Sequence, residues 1–193
     1  QSLSIIDSHK NLLTARQTRE CSAEVRAIRA LFYYYAMDMF GRIPMVTSYN
    51  VKLEQVVQNE RSEVFHFIFN ELQEVAPLLA DEHSNVKGNY YGRVTRPVAN
   101  FLLAKLALNA EIYTDDNWTD GSRPNGKNIF FSVNGEKKNA WETCIWYCEQ
   151  LREEGYELEK DYASNFAVHN ETSQENIFTI PLDKNLYPNE YHY

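Results

Sequence analysis

The longest patterned stretch is Ala23 to Thr47, AEVRAIRALFYYYAMDMFGRIPMVT, where apolar residues recur at three- and four-residue spacing. Val25, Ile28, Phe32, Tyr35 and Met39 form one helical stripe, and Ala27, Leu31 and Tyr34 form a second beside it. Two apolar stripes demand cover on more than one side, so Phe32 and Tyr35 are expected to be buried. The pattern stops at Phe40-Gly41, where glycine can take a left-handed cap, and Pro44 blocks re-entry.

The first helix is therefore expected over Cys21 to Phe40. A second opens after Ser62, with Val64, Ile68, Leu72, Val75 and Leu79 on one face and Glu63 near its positive end. A third takes Thr95 as N-cap and Pro97 in its first turn, and runs through Leu102, Leu103, Leu106 and Ala110 to Tyr113. A fourth starts at Asn139, three residues before Glu142 in a capping-box pattern, and ends before Gly155. Only Asn176 to Pro181 alternates as a strand does. Helices of this length cannot each bury an apolar face alone. Antiparallel pairs stacked as a tetratricopeptide-like helical solenoid, mostly α with long loops and little β, are the expected fold. Trp141, Ile145, Cys148 and Leu151 before Gly155-Tyr156 resemble a degenerate tetratricopeptide helix.

Composition narrows the function classes. The 193 residues are 44% hydrophobic, enough for one packed domain spanning 1–193. A formal net charge of -8, with no basic cluster to reverse it locally, argues against nucleic acid and anionic lipid as partners. No apolar run reaches the ~20 residues of a membrane span. The start, QSLSIIDSHK, has neither a basic nor an apolar signal region. Three cysteines make an odd count rather than a disulfide framework; Cys144 and Cys148 are read as small buried hydrophobes.

The wording of the first helix resembles the SusD/RagB family of outer-membrane nutrient-binding lipoproteins. Its members carry Glu-(Val/Ile)-Arg-Ala-x-Arg-Ala, then aromatics, then Phe-Gly-x-(Val/Ile)-Pro. Glu24 to Ala30, Phe32 to Tyr35 and Phe40 to Pro44 fill those slots. Three further pieces follow in the family's order. They are Arg61 to Val64; Tyr91 to Thr95 followed by Leu102 to Leu106 and Asn109 to Tyr113; and Asp161 to Phe166 leading into Glu175 to Pro181.

This resemblance, covering about Ala23 to Asp183, implies a tetratricopeptide-containing scaffold that binds a glycan without turning it over. Starch or malto-oligosaccharide is the implied ligand, and a SusC-like TonB-dependent transporter the implied partner. The implied location is the outer membrane at the cell surface. Family members are much longer and begin with a lipoprotein signal and an acylated cysteine. The chain therefore reads as an internal or amino-terminal fragment, touching membrane only through a lipid anchor absent from it. The implied oxidising location permits a bridge from Cys21.

Candidate chemistry is sparse. There is no Gly-x-Ser-x-Gly elbow, Cys/His pair or phosphate loop, and acidic pairs such as Glu153-Glu154 diverge on a helix, so no catalysis is expected. No cofactor is expected. Asp115 to Asn139 is a long polar connector holding Trp118, Phe130 and Phe131, of the length that marks a functional or mobile loop. Within it Asp116, Asp120 and Gly121 fit a calcium loop. Trp118 occupies a ligand slot, however, and Lys127 stands where the bidentate glutamate belongs, leaving an irregular structural calcium site against a solvated polar loop.

A glycan needs an aromatic face and fixed polar groups. The C-terminal stretch offers Asp183, Tyr187 and Tyr191. In the starch-binding members the acidic residue after the Ile-Pro strand contacts glucose hydroxyls, a role the resemblance carries to Asp183. Asn11 and Trp118 complete the candidate set. The alternatives are the same scaffold binding another polysaccharide or a peptide, and a helical interaction scaffold with no small ligand.

Overall fold

The computed structural model describes residues 1–48 and 50–180. Among these residues there are six α-helices: α1 (Ser2–Ser8), α2 (Ala15–Phe40), α3 (Arg61–Val75), α4 (Arg96–Leu108), α5 (Ala110–Tyr113) and α6 (Ala140–Glu153). Two small antiparallel ladders accompany them, β1 (Ile43–Pro44) with β2 (Gln58–Asn59), and β3 (Phe130–Val133) with β4 (Glu136–Asn139). The fold is the expected mostly helical, tetratricopeptide-like one.

α2 starts earlier than the apolar pattern indicates. Thr14 accepts from the Gln17 amide, and the Gln17 side chain accepts from the Thr14 amide in return, a reciprocal cap that secures the helix start. At the other end Gly41 adopts φ +71°, as expected of a glycine stop, and sends the chain back into β1. The Tyr33 hydroxyl then clasps the returning chain, donating to the Val46 carbonyl at 2.9 Å and accepting from its amide at 2.8 Å.

The buried face of α2 is the opposite of the one its large residues suggest. Ala23, Ala27, Ala30, Tyr34 and Met37 are in the core, whereas Phe32 is 69% and Tyr35 51% exposed, with Ile28 and Met39 beside them at the surface. The small residues allow α3 to approach closely, and a Phe32-sized side chain on that face would hold the helices apart. Both helices are ion-paired along the seam. Arg26 donates to Glu71 at 2.7 Å and to Glu74 at 2.5 Å, and Arg29 pairs with Glu71 from the next turn. Arg26 opposite Glu74 and Tyr33 opposite Phe67, at 5.6 Å edge to face, show that α2 and α3 run antiparallel.

α3 carries Val64, Phe65, Ile68, Phe69, Leu72 and Val75 into the centre of the molecule, and Leu79 just beyond it is buried too. α4 follows Thr95 and Pro97 as expected, with Leu102, Leu103 and Leu106 buried. Thr95 stands at the N-cap position, but its hydroxyl is buried and bonds nothing in the described residues, so the cap is positional only. α6 packs antiparallel on α4, since Arg96 at the start of α4 reaches Glu154 after the end of α6 at 2.8 Å. The Asn139 box opens α6: its side chain accepts from the Trp141 and Glu142 amides, each at 3.0 Å, and Glu142 accepts from the Asn139 amide at 2.9 Å.

Three expectations need correction. The second half of the Asp115–Asn139 connector is a β-hairpin, turned by Asn134 (φ 52°) and Gly135 (φ 78°), a pair suited to a two-residue hairpin turn. Period-two alternation sends Phe131 inward, stacked on Phe69 at 4.2 Å, and leaves Phe130 outside under Lys137. Of Asn176 to Pro181, expected as a strand, Asn176 to Ile180 are described and have no strand partner among the described residues. Ile177 and Phe178 pack on the core, and a hydrogen-bond knot of Asn165, Ser173 and Glu175 shapes the chain before them. Cys148 is exposed, and only Cys144 packs against the core; both are free, as is Cys21.

Candidate functional site

The beginning of the long loop is fixed to the start of α3. Arg61 donates to the Asp115 carbonyl at 2.6 Å, and the Asp116 carboxylate accepts from the Ser62 amide at 3.0 Å and from its hydroxyl at 2.5 Å. An anion there meets unpaired amides and the positive end of the α3 dipole. Asp115 faces Arg123 at 3.5 Å, and Asp120 accepts from the Ser122 amide at 2.8 Å. The carboxylates proposed for calcium are thus each engaged locally. Among the described residues no three His, Cys, Asp or Glu side chains gather into a metal-binding group.

Trp118 projects from this loop, 53% exposed, with the Arg61 and Arg123 guanidinium carbons 5.3 and 5.2 Å from its ring centre. Two cations share the indole, and Arg123 also donates to the Trp118 carbonyl at 2.9 Å, so the ring is held in place. Asn11 lies on a short 3-10 turn, Lys10 to Leu12, and is exposed. It precedes α2, and α2 is antiparallel to α3, so Asn11 is beyond the far end of the helix pair from Trp118. A 15-residue α3 separates the two by roughly 20 Å, and they do not share a pocket. Asp183, Tyr187 and Tyr191 lie outside the described residues.

Two clefts open on the described surface. One, of about 400 Å³, is lined by Gln1 to Ser4, Val25, Arg29 and Val46 to Ser48. The other, of about 250 Å³, lies between the end of α3, the start of α4, the hairpin turn and α6, and includes Asn100 and Trp146. Neither was legible as a site from motifs. The one signal was Asn100 itself, a carboxamide in the apolar stretch between Arg96 and Lys105 of the RPVANFLLAKLAL helix.

The ionisable groups suit structure better than catalysis. The Cys144 thiol is pushed up to about 11, chiefly by burial and then by Cys148, and so stays protonated. Tyr113 is raised by burial and by donating to Asp38 at 2.6 Å. Burial raises Glu24 against the opposing pull of Arg93, its partner at 2.6 Å, which leaves it a clamp between α2 and the loop before α4.

The antiparallel helical pairs define a tetratricopeptide-like scaffold. No protein-family profile matches the chain. Over 173 residues it is 29% identical to the starch-binding protein SusD of Bacteroides thetaiotaomicron, a match covering 81% of this chain. The chain spans 29% of the length of that curated relative. Among solved structures, surface glycan-binding protein A from Bacteroides uniformis superposes with a TM-score of 0.67 at 17% identity, covering 91% of this chain and 34% of that one. A laminarin-binding SusD-like protein superposes with a TM-score of 0.56 at 21% identity, covering 86% and 31%. At those identities the structures speak for the fold. The chain is SusD-like, in fold and in sequence.

Proposed function

We propose that the chain serves noncovalent glycan capture at the cell surface, with starch or malto-oligosaccharide as ligand. In this reading a SusC-like TonB-dependent transporter receives the sugar, and a lipid anchor holds the protein to the outer membrane. The observation that carries the reading is the sequence likeness to a starch-binding protein. The glycan-binding and laminarin-binding names of two proteins of like fold support the wider class. The sugar is held by hydrogen bonds to Asp183 and by stacking on Trp118, Tyr187 and Tyr191.

Titration calorimetry of the full-length protein with malto-oligosaccharides tests the ligand, and a glycan array tests its alternatives. Asp183→Ala is expected to weaken binding by roughly 1.5 to 3 kcal/mol, the range for a hydrogen bond to a charged group, with helix content unchanged. Binding as tight as the parent's removes Asp183 from the site, and a parent that binds no α-glucan removes starch. Trp118→Ala weakens soluble binding if the loop is a lid, and impairs uptake alone if the loop faces the transporter.

No turnover accompanies binding. Incubation with starch is expected to leave chain lengths unchanged, because the described acidic side chains that are buried, Glu71 and Asp115, face arginines rather than standing as an acid and nucleophile across a cleft. Reducing ends that appear with the parent and vanish with a carboxylate variant would move the protein to the hydrolases.

A further inference from the structure

The smaller cleft is lined by polar groups with hydrogen-bonding capacity to spare. Asn100 is 6% exposed, lines the cleft, and its carboxamide bonds no other described residue. Its polar atoms open onto the cleft, where solvent or a ligand can reach them. The neighbouring polar groups are set but not saturated. Gln73 spends its amino group on the Ser132 carbonyl at 2.9 Å and the Tyr147 hydroxyl at 3.2 Å. That fixes the amide, leaves its oxygen as an acceptor, and leaves the Tyr147 proton to donate. Gln150 adds a second amide on the rim, one turn along α6 from Trp146, whose half-buried indole stands edge-on to Tyr147 at 4.8 Å.

Charge decides the class of ligand. The one cation of the cleft, Arg96, is more than matched by Glu154 at 2.8 Å and Asp81 at 3.4 Å, so no free positive charge invites an anion, and the cleft lining itself carries no carboxylate to hold a cation. A purely apolar guest would exclude solvent from Asn100 without replacing its hydrogen bonds. At about 250 Å³ the cleft falls below the ~300 Å³ where pockets for drug-sized ligands begin, so it has room for one ring rather than a chain. Acceptors, donors and an indole without charge suit a ring that carries hydroxyls around its edge and C–H groups on its face.

We propose that this cleft is a subsite for one neutral pyranose unit, with Asn100 and the Gln73 oxygen bonding its hydroxyls and Trp146 packing on its face. The proposal rests on glycan capture and adds a position for it, away from Asp183 in sequence and from the Trp118 loop in space.

The full chain, labelled with nitrogen-15, is titrated with maltose, cellobiose and laminaribiose while the side-chain amide signals of Asn100 and Gln73 are followed. One of the disaccharides is expected to shift both. Asn100→Ala is expected to weaken that disaccharide at least about tenfold while the thermal midpoint changes little, since the amide bonds no other described residue. Gln150→Ala, on the rim, weakens it a few-fold and serves should Asn100→Ala not fold.

Long glucans that bind while Asn100 stays unshifted, and bind equally to Asn100→Ala, overturn the subsite and leave glycan capture standing. A blocked dipeptide that shifts Asn100 where no sugar does overturns the sugar assignment of the cleft. Failure of every sugar, short or long, overturns both readings.

Discussion

Glu71→Ala is expected to destabilise the chain by about 3 kcal/mol, the low end of the 3 to 5 kcal/mol range for removing one partner of a buried ion pair. Glu71 is 7% exposed and receives Arg26 and Arg29 from successive turns of α2, so its loss leaves two guanidinium groups facing an apolar seam. Both arginines are about a quarter exposed, and Arg26 keeps Glu74, which is why the low end applies. The effect depends on pH. Burial alone would raise the Glu71 carboxyl, but the hydrogen bonds from Arg26 and Arg29 prevail and hold it below its ordinary value of 4.5. A carboxylate lowered on folding stabilises fully above its unfolded value, and that contribution fades as the pH falls through the folded one. Urea unfolding at pH 7 and again well below pH 4.5 checks both points. The gap between parent and variant should be full at pH 7 and shrink in acid, and a gap indifferent to pH would assign the loss to packing.

Leu106→Ala is expected to cost ~2 to 5 kcal/mol through the cavity it leaves, because Leu106 is fully buried in α4. The informative control is Phe32→Ala. Removing this larger side chain from the exposed face of α2 should change stability by no more than about 0.5 kcal/mol. Denaturant midpoints decide the matter, with equal slopes confirming that both variants unfold the same structure. An unmoved midpoint for Leu106→Ala, or a collapse of Phe32→Ala, would contradict the packing described.

The two substitutions mark what periodicity can and cannot say. α3, α4 and α6 were legible because each has one apolar face with a cap or proline at its start, and burial then follows the stripe. α2 has two apolar faces, and hydrophobicity favours the larger residues. The outcome turns on how near α3 can come, a pairwise property that no single helix carries. The alanines at 23, 27 and 30 are its trace, together with the arginines spaced to meet one glutamate.

The hairpin failed for another reason. Asn134-Gly135 between two four-residue strands is a strong local signal, but it closes a connector whose first half, Asp115 to Asn128, is polar and reads as loop. The strand expected at Asn176 to Pro181 shows the converse: its described part, Asn176 to Ile180, alternates but meets no strand among the described residues, and alternation alone does not make a ladder. Of the candidate site, the aromatic Trp118 was visible as a ring in a polar loop. The cleft at Asn100 was not, since it is assembled from four elements far apart in sequence.

The two ends of the Asn117–Pro124 excursion are fastened independently of what lies between them. Asp115 and Asp116 hold one end to α3, and the Gly126 amide, donating to Glu111 at 2.6 Å, holds the other to α5. Gly126 must be glycine for this, because a Cβ there would sit 2.6 Å from the Trp141 indole nitrogen. With the closure set by those anchors, each doubling of the intervening length costs only ~0.6 kcal/mol. Residues around Gly121, which has open space beside it, therefore form a natural port for an inserted epitope or fluorophore, leaving the helical framework to fold as it does now.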